Sequence, residues 1–403
     1  MTDPSSKASS STRNFRPATR LVHAGTMRSQ FGETSEALFL TQGFVYDTAE
    51  AAEARFKGEE AGFIYSRFSN PTVSMFEQRM AELEGAQAAR ATASGMAAVT
   101  AALVGQVKAG DHIVAAKALF GSCRYVIEEL LPRFGVASTL VDGTDLEQWR
   151  GAVRPETKVF FLESPTNPTL EILDIAAIAA IAKDAGATLV VDNVFATPLL
   201  QSPLELGADC VVYSATKHVD GQGRCLAGVI LASEKFIADY IHTYMRQTGP
   251  SISPFNAWVM LKGIETLPLR VEKQVSNAVR VADALAGHKA IERVIYPFRD
   301  DHPQVALARR QMRAGGTLVT FEIAGGKAGA FRVANALRIT RISNNLGDTK
   351  SLLTHPSTTT HQRFDEGQRL GMGIRPGMLR FSAGIEDPDD LIEDFLQALD
   401  KAG

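Results

Sequence analysis

The sequence is poor in the residues that mark disulfide-rich and metal-binding proteins. Its three cysteines, Cys123, Cys210 and Cys225, are spread over 403 residues without any C-x-x-C spacing. Such a sparse, odd set excludes a disulfide framework and favours a reducing compartment. The eight histidines include no H-x-x-x-H or H-E-x-x-H pair, so a metal site has little support.

Strong charge and long apolar runs are missing as well. A net charge of −3 provides no basic surface for nucleic acid or for an anionic membrane. The most apolar stretch, from Ile172 to Val191, is interrupted by Asp174, Lys183 and Asp184, so it does not predict a membrane span. We therefore expect no nucleic-acid partner, no membrane association and a cytoplasmic location.

What the chain does have is the composition of an ordinary globular enzyme, with 45% hydrophobic and 22% charged residues. Its length exceeds the size at which one core keeps growing, so about two domains plus extensions are expected. We predict a disordered tail and an N-terminal arm over residues 1–62, the Ser-rich first ~20 residues being the tail. A large domain would span 63–250 and a smaller α+β domain 251–403.

Short apolar runs alternate with helical patterns through the large domain. The runs are His112–Ala116, Val159–Leu162, Thr188–Val191 and Cys210–Tyr213. This βα rhythm predicts a mostly parallel sheet that helices cover on both faces, with Leu226–Ser233 as a further, antiparallel strand. The fold class is therefore α/β.

An extended piece of chain is predicted before this sheet, from Gly62 to Arg67, ending at the turn signal Asn70-Pro71. Because side chains alternate along an extended chain, Tyr65 and Arg67 would project to the same side. They could form part of a site, or simply be an exposed arginine beside a packed tyrosine.

Each predicted strand leads into residues that can carry chemistry. Phe120 lies in the loop after the first run, Glu163–Asn167 follow the second, Asp192 follows the third and Lys217 the fourth. The carboxyl ends of parallel strands share one edge of the sheet, where α/β folds place their sites. We expect these four loops to form one site.

The stretch Ser214-Ala-Thr-Lys217 combines two hydroxyls with an amine. Hydroxyls can bind a phosphate, and a sheltered lysine can lose its proton and form a Schiff base with an aldehyde. Ser94-Gly95-Met96 opens an Ala-rich helix whose unpaired N–H groups and dipole favour an anion. Taken singly, each feature has a plainer explanation, a lysine in a surface turn or a serine that caps a helix.

The combination is more informative than its parts. Asp192 lies one βα unit before Lys217, and a carboxylate held against a pyridine nitrogen makes the ring an electron sink. A phosphate needs anion-binding groups, and a pyridine ring needs an aromatic partner. The chain offers both, from Gly95, Met96, Ser214, Thr216 and Arg67 for the phosphate and from Phe120 for the ring. Their joint placement favours pyridoxal 5'-phosphate.

These residues stand in motifs that resemble the Cys/Met-metabolism family of pyridoxal-phosphate enzymes, from about Thr41 to the C-terminus. The family includes cystathionine γ-synthase, cystathionine lyases, methionine γ-lyase and homoserine-ester sulfhydrylases. The motifs are Tyr65-Ser-Arg-Phe-Ser-Asn-Pro-Thr72, Ser94-Gly-Met-Ala-Ala98, Glu163-Ser-Pro-Thr-Asn-Pro168, Val191-Asp-Asn193, Ser214-Ala-Thr-Lys217 and Leu379-Arg-Phe-Ser-Ala-Gly384. So many matches in order make the resemblance specific.

The resemblance implies a fold-type I transferase with a seven-stranded large-domain sheet. It implies that Lys217 carries the cofactor, that Asp192 pairs with the ring nitrogen, and that Asn167 lies near the ring hydroxyl. Arg380 would hold the substrate α-carboxylate. Two further residues, Tyr65 and Arg67, would reach the phosphate of a neighbouring subunit in a homotetramer built as a dimer of dimers.

Within the family, three segments are most similar to the members that act on O-succinylhomoserine. They are Asp220-Gly-Gln-Gly-Arg224, Thr248-Gly-Pro-Ser-Ile-Ser-Pro-Phe-Asn-Ala-Trp258 and Asn345-Leu-Gly-Asp-Thr-Lys350 with Thr358-Thr-Thr-His361. Phe120 replaces the tyrosine that most members stack on the cofactor, and Asn345 occupies a position that is often serine in the lyases. The resemblance therefore implies γ-replacement of O-succinyl-L-homoserine by sulfide, for methionine biosynthesis. The alternatives are an O-acetylhomoserine sulfhydrylase, a cystathionine γ-synthase or, from another class, a non-catalytic nucleotide-binding module with Lys217 as a phosphate contact.

Overall fold

Two β-sheets organise the chain, whose computed structural model describes residues 15–402. The larger sheet has seven strands, in the order β1-β7-β6-β5-β4-β2-β3. All of its strands are parallel except β7, which is antiparallel to both of its neighbours. The predicted mostly parallel sheet is confirmed. In chain order the strands are β1 Ala88–Thr92, β2 His112–Ala116, β3 Ala137–Val141, β4 Thr157–Glu163, β5 Thr188–Asp192, β6 Cys210–Tyr213 and β7 Gly228–Ala232.

Helices cover both faces of this sheet, which is why every residue of β2, β6 and β7 is buried. The helix α5 continues as a π-helical turn over Val126–Leu130 and a 3-10 turn over Leu131–Phe134, and α9 continues as a π-helix over Ile237–His242. The helices in this part of the chain are α1 Pro17–His23, α2 Ala49–Lys57, α3 Pro71–Glu84, α4 Gly95–Val104, α5 Gly121–Tyr125, α6 Leu146–Gly151, α7 Ile175–Asp184, α8 Thr197–Leu200, α9 Glu234–Phe236 and α10 Thr243–Thr248.

Two strands of the large sheet were not predicted from the sequence. They are the outer strands, β1 and β3, whose sequences Ala-Ala-Arg-Ala-Thr and Ala-Ser-Thr-Leu-Val carry no alternating apolar pattern. Pairing with β7 and β2 makes them strands, because an edge position requires less buried apolar surface than a central one.

The smaller sheet has five strands in the order β10-β11-β12-β9-β8. One of its faces is filled by the C-terminal helix, where Phe395 makes edge contacts with Phe381 and Phe321 at 5.0 and 5.8 Å. The elements are β8 Ile291–Ile295, β9 Leu318–Ile323, β10 Arg341–Ile342, β11 Leu352–Thr354, β12 Met378–Ser382, α11 Pro254–Glu265, α12 Leu267–Ala286, α13 Val305–Gln311, α14 Gly326–Ala336, α15 Glu366–Gly371, α16 Pro388–Ala402 and a 3-10 turn Pro356–Thr358. This is the smaller unit that the sequence predicted, although the boundaries at 62/63 and 250/251 stay predictions.

The N-terminal arm differs from expectation in two places. Residues 1–14 of the predicted tail lie outside the described residues, but its last residues enter α1, where Leu21 is buried. The extended piece predicted from Gly62 to Arg67 ends earlier than expected. Tyr65 forms an isolated antiparallel bridge with Gly43, and the chain then turns, with the Tyr65 carbonyl accepting the N–H of Phe68 at 2.8 Å.

Across the described residues, we find no helix with both the length and the apolar character that crossing a membrane requires.

Candidate active site

A cavity of about 240 Å³ opens at the carboxyl edge of β2, β4, β5 and β6. The loops after these four strands all reach it, as the βα rhythm predicted, and the smaller unit closes it from the other side. The residues predicted for the site that line it are Gly95, Met96, Phe120, Asn167, Asp192, Ser214, Thr216, Lys217 and Arg380. Sequence reasoning gave no role to four further lining residues, Glu163, Asn344, Leu346 and Thr360.

Lys217 lies in the loop after β6, and its Nζ donates a hydrogen bond to Asn345 Oδ1 at 2.6 Å. Burial lowers the pKa of Lys217 to about 8, and the positive charge of Arg380 acts in the same direction. The loop is pressed against the smaller unit at Gly347, since a Cβ on this glycine would lie 2.7 Å from the backbone nitrogen of His218. An amine that is oriented and easily deprotonated is suited to nucleophilic and proton-transfer chemistry.

Asp192 is the last residue of β5, and its Oδ1 accepts a hydrogen bond from the Val194 N–H at 3.1 Å. Burial raises the pKa of Asp192 to about 6. A protonated pyridine nitrogen placed against this carboxylate would offset the cost of burying its charge. The position therefore fits the electron-sink role expected for it.

The start of α4 forms a close-packed cradle with the lysine loop. Ser94 caps the helix by accepting from the Ala97 N–H, and Gly95 follows it. A Cβ at Gly95 would lie 2.5 Å from Cβ of Ser214, so only glycine permits this approach. Backbone N–H groups at the helix start and the Ser214 hydroxyl suit a phosphate. The Thr216 hydroxyl exchanges hydrogen bonds with the backbone of Ala227 and would have to rotate to join them.

Glu163 was placed at the site by the sequence but was given no role there. It ends β4 in register with Asp192, and its Oε2 accepts the N–H of Phe120 at 2.9 Å, which fixes Phe120 in the cavity wall. Its Oε1 is buried without a partner among the described residues. Burial and the neighbouring Asp192 hold the pKa of Glu163 well above its usual range, which favours the protonated carboxyl. A glutamate that ends an apolar run was the available signal.

Arg380, on β12, is buried in the wall opposite the large sheet. Its guanidinium donates to Asn167 Oδ1 at 2.7 Å and to the Asn344 carbonyl at 2.9 Å, and Nε has no partner among the described residues. Burial lowers the pKa of Arg380 to about 10, so it stays charged at neutral pH. A buried cation held by neutral acceptors is suited to an incoming carboxylate.

Tyr65 and Arg67 do not reach this cavity in the single chain. The Arg67 guanidinium lies 5.2 Å from the ring centre of Tyr65 and 4.9 Å from that of Phe68, and it donates to the carbonyl of Arg246. The pair is therefore separate from the lysine loop of its own chain.

Comparison with known proteins gives a consistent result. A sequence model of the family described as "Cys/Met metabolism PLP-dependent enzyme" matches residues 18–400. The O-succinylhomoserine sulfhydrylase of Mycobacterium tuberculosis is 50% identical over 386 residues, which cover 95% of each chain. The L-methionine gamma-lyase of Porphyromonas gingivalis is 40% identical over 385 residues, which cover 95% of this chain and 96% of that protein.

A solved structure agrees with these relatives. It is described as an O-acetylhomoserine (thiol)-lyase of Campylobacter jejuni with N'-pyridoxyl-lysine-5'-monophosphate. It superimposes with a TM-score of 0.92 at 32% identity and covers 96% of this chain and 100% of its own. The cavity, with its amine, buried carboxylate and glycine cradle, has the donor set that such a group needs. The chain belongs to the Cys/Met metabolism family of pyridoxal-phosphate-dependent enzymes, with the fold-type I architecture and pyridoxal 5'-phosphate as its cofactor.

Proposed function

We propose that this enzyme catalyses γ-replacement, converting O-succinyl-L-homoserine and sulfide to L-homocysteine and succinate. The observation that carries the proposal is the 50% identity, over 95% of both chains, to a protein named O-succinylhomoserine sulfhydrylase. Because the chain belongs to this enzyme family, the alternative hypothesis of a non-catalytic nucleotide-binding module is set aside.

Lys217 would hold the cofactor at rest and move protons during turnover. When bound, pyridoxal phosphate supplies an aldehyde for the substrate amine and a ring that withdraws electrons from Cα. The free Lys217 amine would remove the Cα proton of the substrate, and a pKa near 8 leaves part of it neutral at working pH. Asn345 orients this amine through the hydrogen bond to Nζ.

The remaining residues bind and orient. Asp192 would face the ring nitrogen, Asn167 the ring hydroxyl, and Arg380 the substrate α-carboxylate. Fixing the α-carboxylate places the Cα–H bond near the lysine, which is a positioning contribution rather than a chemical one. The phosphate would bind at Gly95, Met96, Ser214 and Thr216.

Phe120 supports replacement over elimination. Its ring lines the cavity and can stack on the cofactor, but it has no hydroxyl that could carry a proton. The second proton, from Cβ, is then also left to Lys217. Succinate would depart from Cγ with the electron pair of the C–O bond, and sulfide would form the new C–S bond at the same carbon. Lys217 would then return one proton to Cβ and one to Cα, which completes L-homocysteine.

We also propose that the enzyme works as a cytoplasmic homotetramer, a dimer of dimers. Tyr65 and Arg67 would complete the phosphate site of a neighbouring subunit. Neither residue lines the cavity of its own chain, where the Arg67 guanidinium lies beside Tyr65 and donates to the Arg246 carbonyl, and this supports the assignment.

The test is a comparison of substrates for the purified holoenzyme. Homocysteine and cystathionine formation would be measured with succinyl and acetyl esters of homoserine, each with sulfide and with cysteine. We expect the highest kcat/KM for the succinyl ester with sulfide. Preference for the acetyl ester would indicate an O-acetylhomoserine sulfhydrylase, and preference for cysteine a cystathionine γ-synthase.

A further inference from the structure

The proposed substrate differs from its acetyl counterpart by a carboxylate at the far end of the acyl chain. Arg380 is assigned to the α-carboxylate, which both esters share. To select the succinyl ester over the acetyl ester, the enzyme needs a second cation near the mouth of the cavity, where the distal carboxylate would lie. The identity of that cation is inferred on the basis of the proposed function.

The segment that follows the 3-10 turn Pro356–Thr358 forms one side of this mouth. Thr360 lines the cavity, and its carbonyl lies against Gly121, the residue directly after Phe120. A Cβ on Gly121 would be 3.4 Å from the Thr360 oxygen and 3.6 Å from Arg363 Nε. The Arg363 side chain therefore lies beside the wall that Phe120 and Thr360 form.

The charge near this wall is consistent with an anion site. His361 is buried, with its Nδ1 2.8 Å from the Thr360 hydroxyl, and burial lowers the pKa of His361 to about 4, so it is neutral at pH 7. Three guanidiniums, those of Arg380, Arg124 and Arg363, lower it further. All three guanidiniums therefore lie within electrostatic range of the same buried ring. We refer to Arg124 and Arg363, which lie nearer the surface than Arg380, as the rim arginines.

The two rim arginines differ in how firmly they are paired. Arg124 holds Glu128 through two hydrogen bonds of 2.7 and 2.8 Å. Among residues 15–402, the ion pair of Arg363 is a loose contact of 3.6 Å with Glu129, and these two side chains are 35% and 53% exposed. An exposed pair of this kind contributes little, so a substrate carboxylate can replace Glu129 at low cost.

Phe364 holds the arginine at the rim. Its ring lies 4.7 Å from the guanidinium carbon of Arg363 and 4.7 Å from that of Arg124. Cation–π contacts on the ring restrict Arg363 without using its hydrogen-bond donors. The fork therefore remains available for a bidentate contact.

We propose that Arg363 binds the distal carboxylate of the succinyl ester and thereby sets the ester preference of the enzyme. Arg363 would determine specificity through a direct contact with the leaving group. Arg124 is less available for this contact, because its guanidinium is paired with Glu128.

The test is Arg363→Met in the holoenzyme, read as the ratio of kcat/KM for the succinyl ester over the acetyl ester. We expect this ratio to fall about tenfold, because one charge-assisted hydrogen-bonded contact is lost. The loss should appear mainly in KM, since the distal carboxylate takes no part in bond breaking. Inhibition by free succinate should weaken in the same variant.

Two variants act as controls. Arg363→Lys keeps the charge and should keep most of the preference, and Arg133→Met removes an exposed arginine from the nearby 3-10 turn and should leave the ratio unchanged. A wild type that prefers the acetyl ester would overturn the proposed function itself. A wild type that prefers the succinyl ester, with an unchanged ratio in Arg363→Met, would overturn the role of Arg363 alone.

Discussion

At the residue scale, the proposed function gives Phe120 a role that depends on the hydroxyl it lacks. Its backbone is fixed by Glu163 and its ring lines the cavity, so the position is well defined even though the side chain is apolar. A tyrosine there would add a hydroxyl that can donate and accept a proton.

Phe120→Tyr should therefore raise side elimination to 2-oxobutyrate relative to replacement, by about tenfold, since a positioned acid–base group contributes at least that much. Both products would be measured in one reaction with the succinyl ester and sulfide. Phe120→Leu, which removes the ring without adding a hydroxyl, is the matched control. An unchanged product ratio in Phe120→Tyr would count against Phe120 as a selectivity element.

Single residues could be assigned to the cavity where their chemistry is distinctive. Asp192 ends the buried strand β5 and Lys217 lies in the loop after the next one, β6, and both line the cavity. Glu163 was assigned no role because its function depends on register, which pairs it with Asp192 across two strands. Arg363 could not be found at all, since only the fold brings residue 363 against Gly121.

At the scale of elements, helix α3 is tied to strand β6 by a buried polar contact. Tyr213 donates its hydroxyl proton to Glu84 Oε2 at 2.5 Å and accepts from Asn193 Nδ2 at 2.6 Å. Burial raises the pKa of Glu84 to about 8, with Glu205 acting in the same direction and the Tyr213 hydrogen bond and Arg313 opposing it. Glu84 therefore keeps its proton in the folded state at pH 7.

This raised pKa makes stability fall with rising pH. Above about pH 4.5 the unfolded chain ionises Glu84 while the folded chain keeps it neutral, so stability decreases until the pH passes the folded pKa near 8. Glu84→Gln should remove this contribution, which amounts to about 1.4 kcal/mol per pH unit at most.

Urea unfolding midpoints between pH 5 and pH 8 would measure the difference. The wild type should lose stability relative to Glu84→Gln as pH rises, whereas the exposed control Glu147→Gln should follow the wild type. Parallel profiles for the wild type and Glu84→Gln would mean that Glu84 is already ionised in the folded protein.

Elements in the interior were predicted better than those at the edges. The sequence indicates β2 and β6 residue for residue, because continuous apolar runs are what a doubly covered strand requires. The outer strands β1 and β3 lack that pattern and depend on their partners. The turn at Tyr65 was missed because its closing hydrogen bonds join backbone groups that any sequence has.

At the scale of the whole molecule, the separation of Arg67 from Lys217 predicts active sites shared between subunits. Lys217→Ala and Arg67→Ala should each lose almost all activity, the first by losing the amine and the second by losing a phosphate contact. Co-expressed in equal amounts, the two chains should recover about a quarter of wild-type activity, because half of the dimers are hybrids and each hybrid has one intact site.

The recovery distinguishes two arrangements. If Arg67 served the site of its own chain, each hybrid subunit would keep its own defect and no activity would return. Separately purified variants, mixed without refolding, provide the control for subunit exchange.

The contact between Gly347 and the backbone of His218 has a consequence for the order in which the chain is synthesised and folds. The lysine loop is synthesised about 130 residues before Gly347, the glycine against which it packs in the folded protein. Asn345, which accepts the hydrogen bond from Lys217 Nζ, is also synthesised that late. The amine therefore acquires its mature surroundings only when the chain is nearly complete. A nascent chain that ends before Asn345 would therefore present the lysine without its hydrogen-bond partner and without the contact at Gly347.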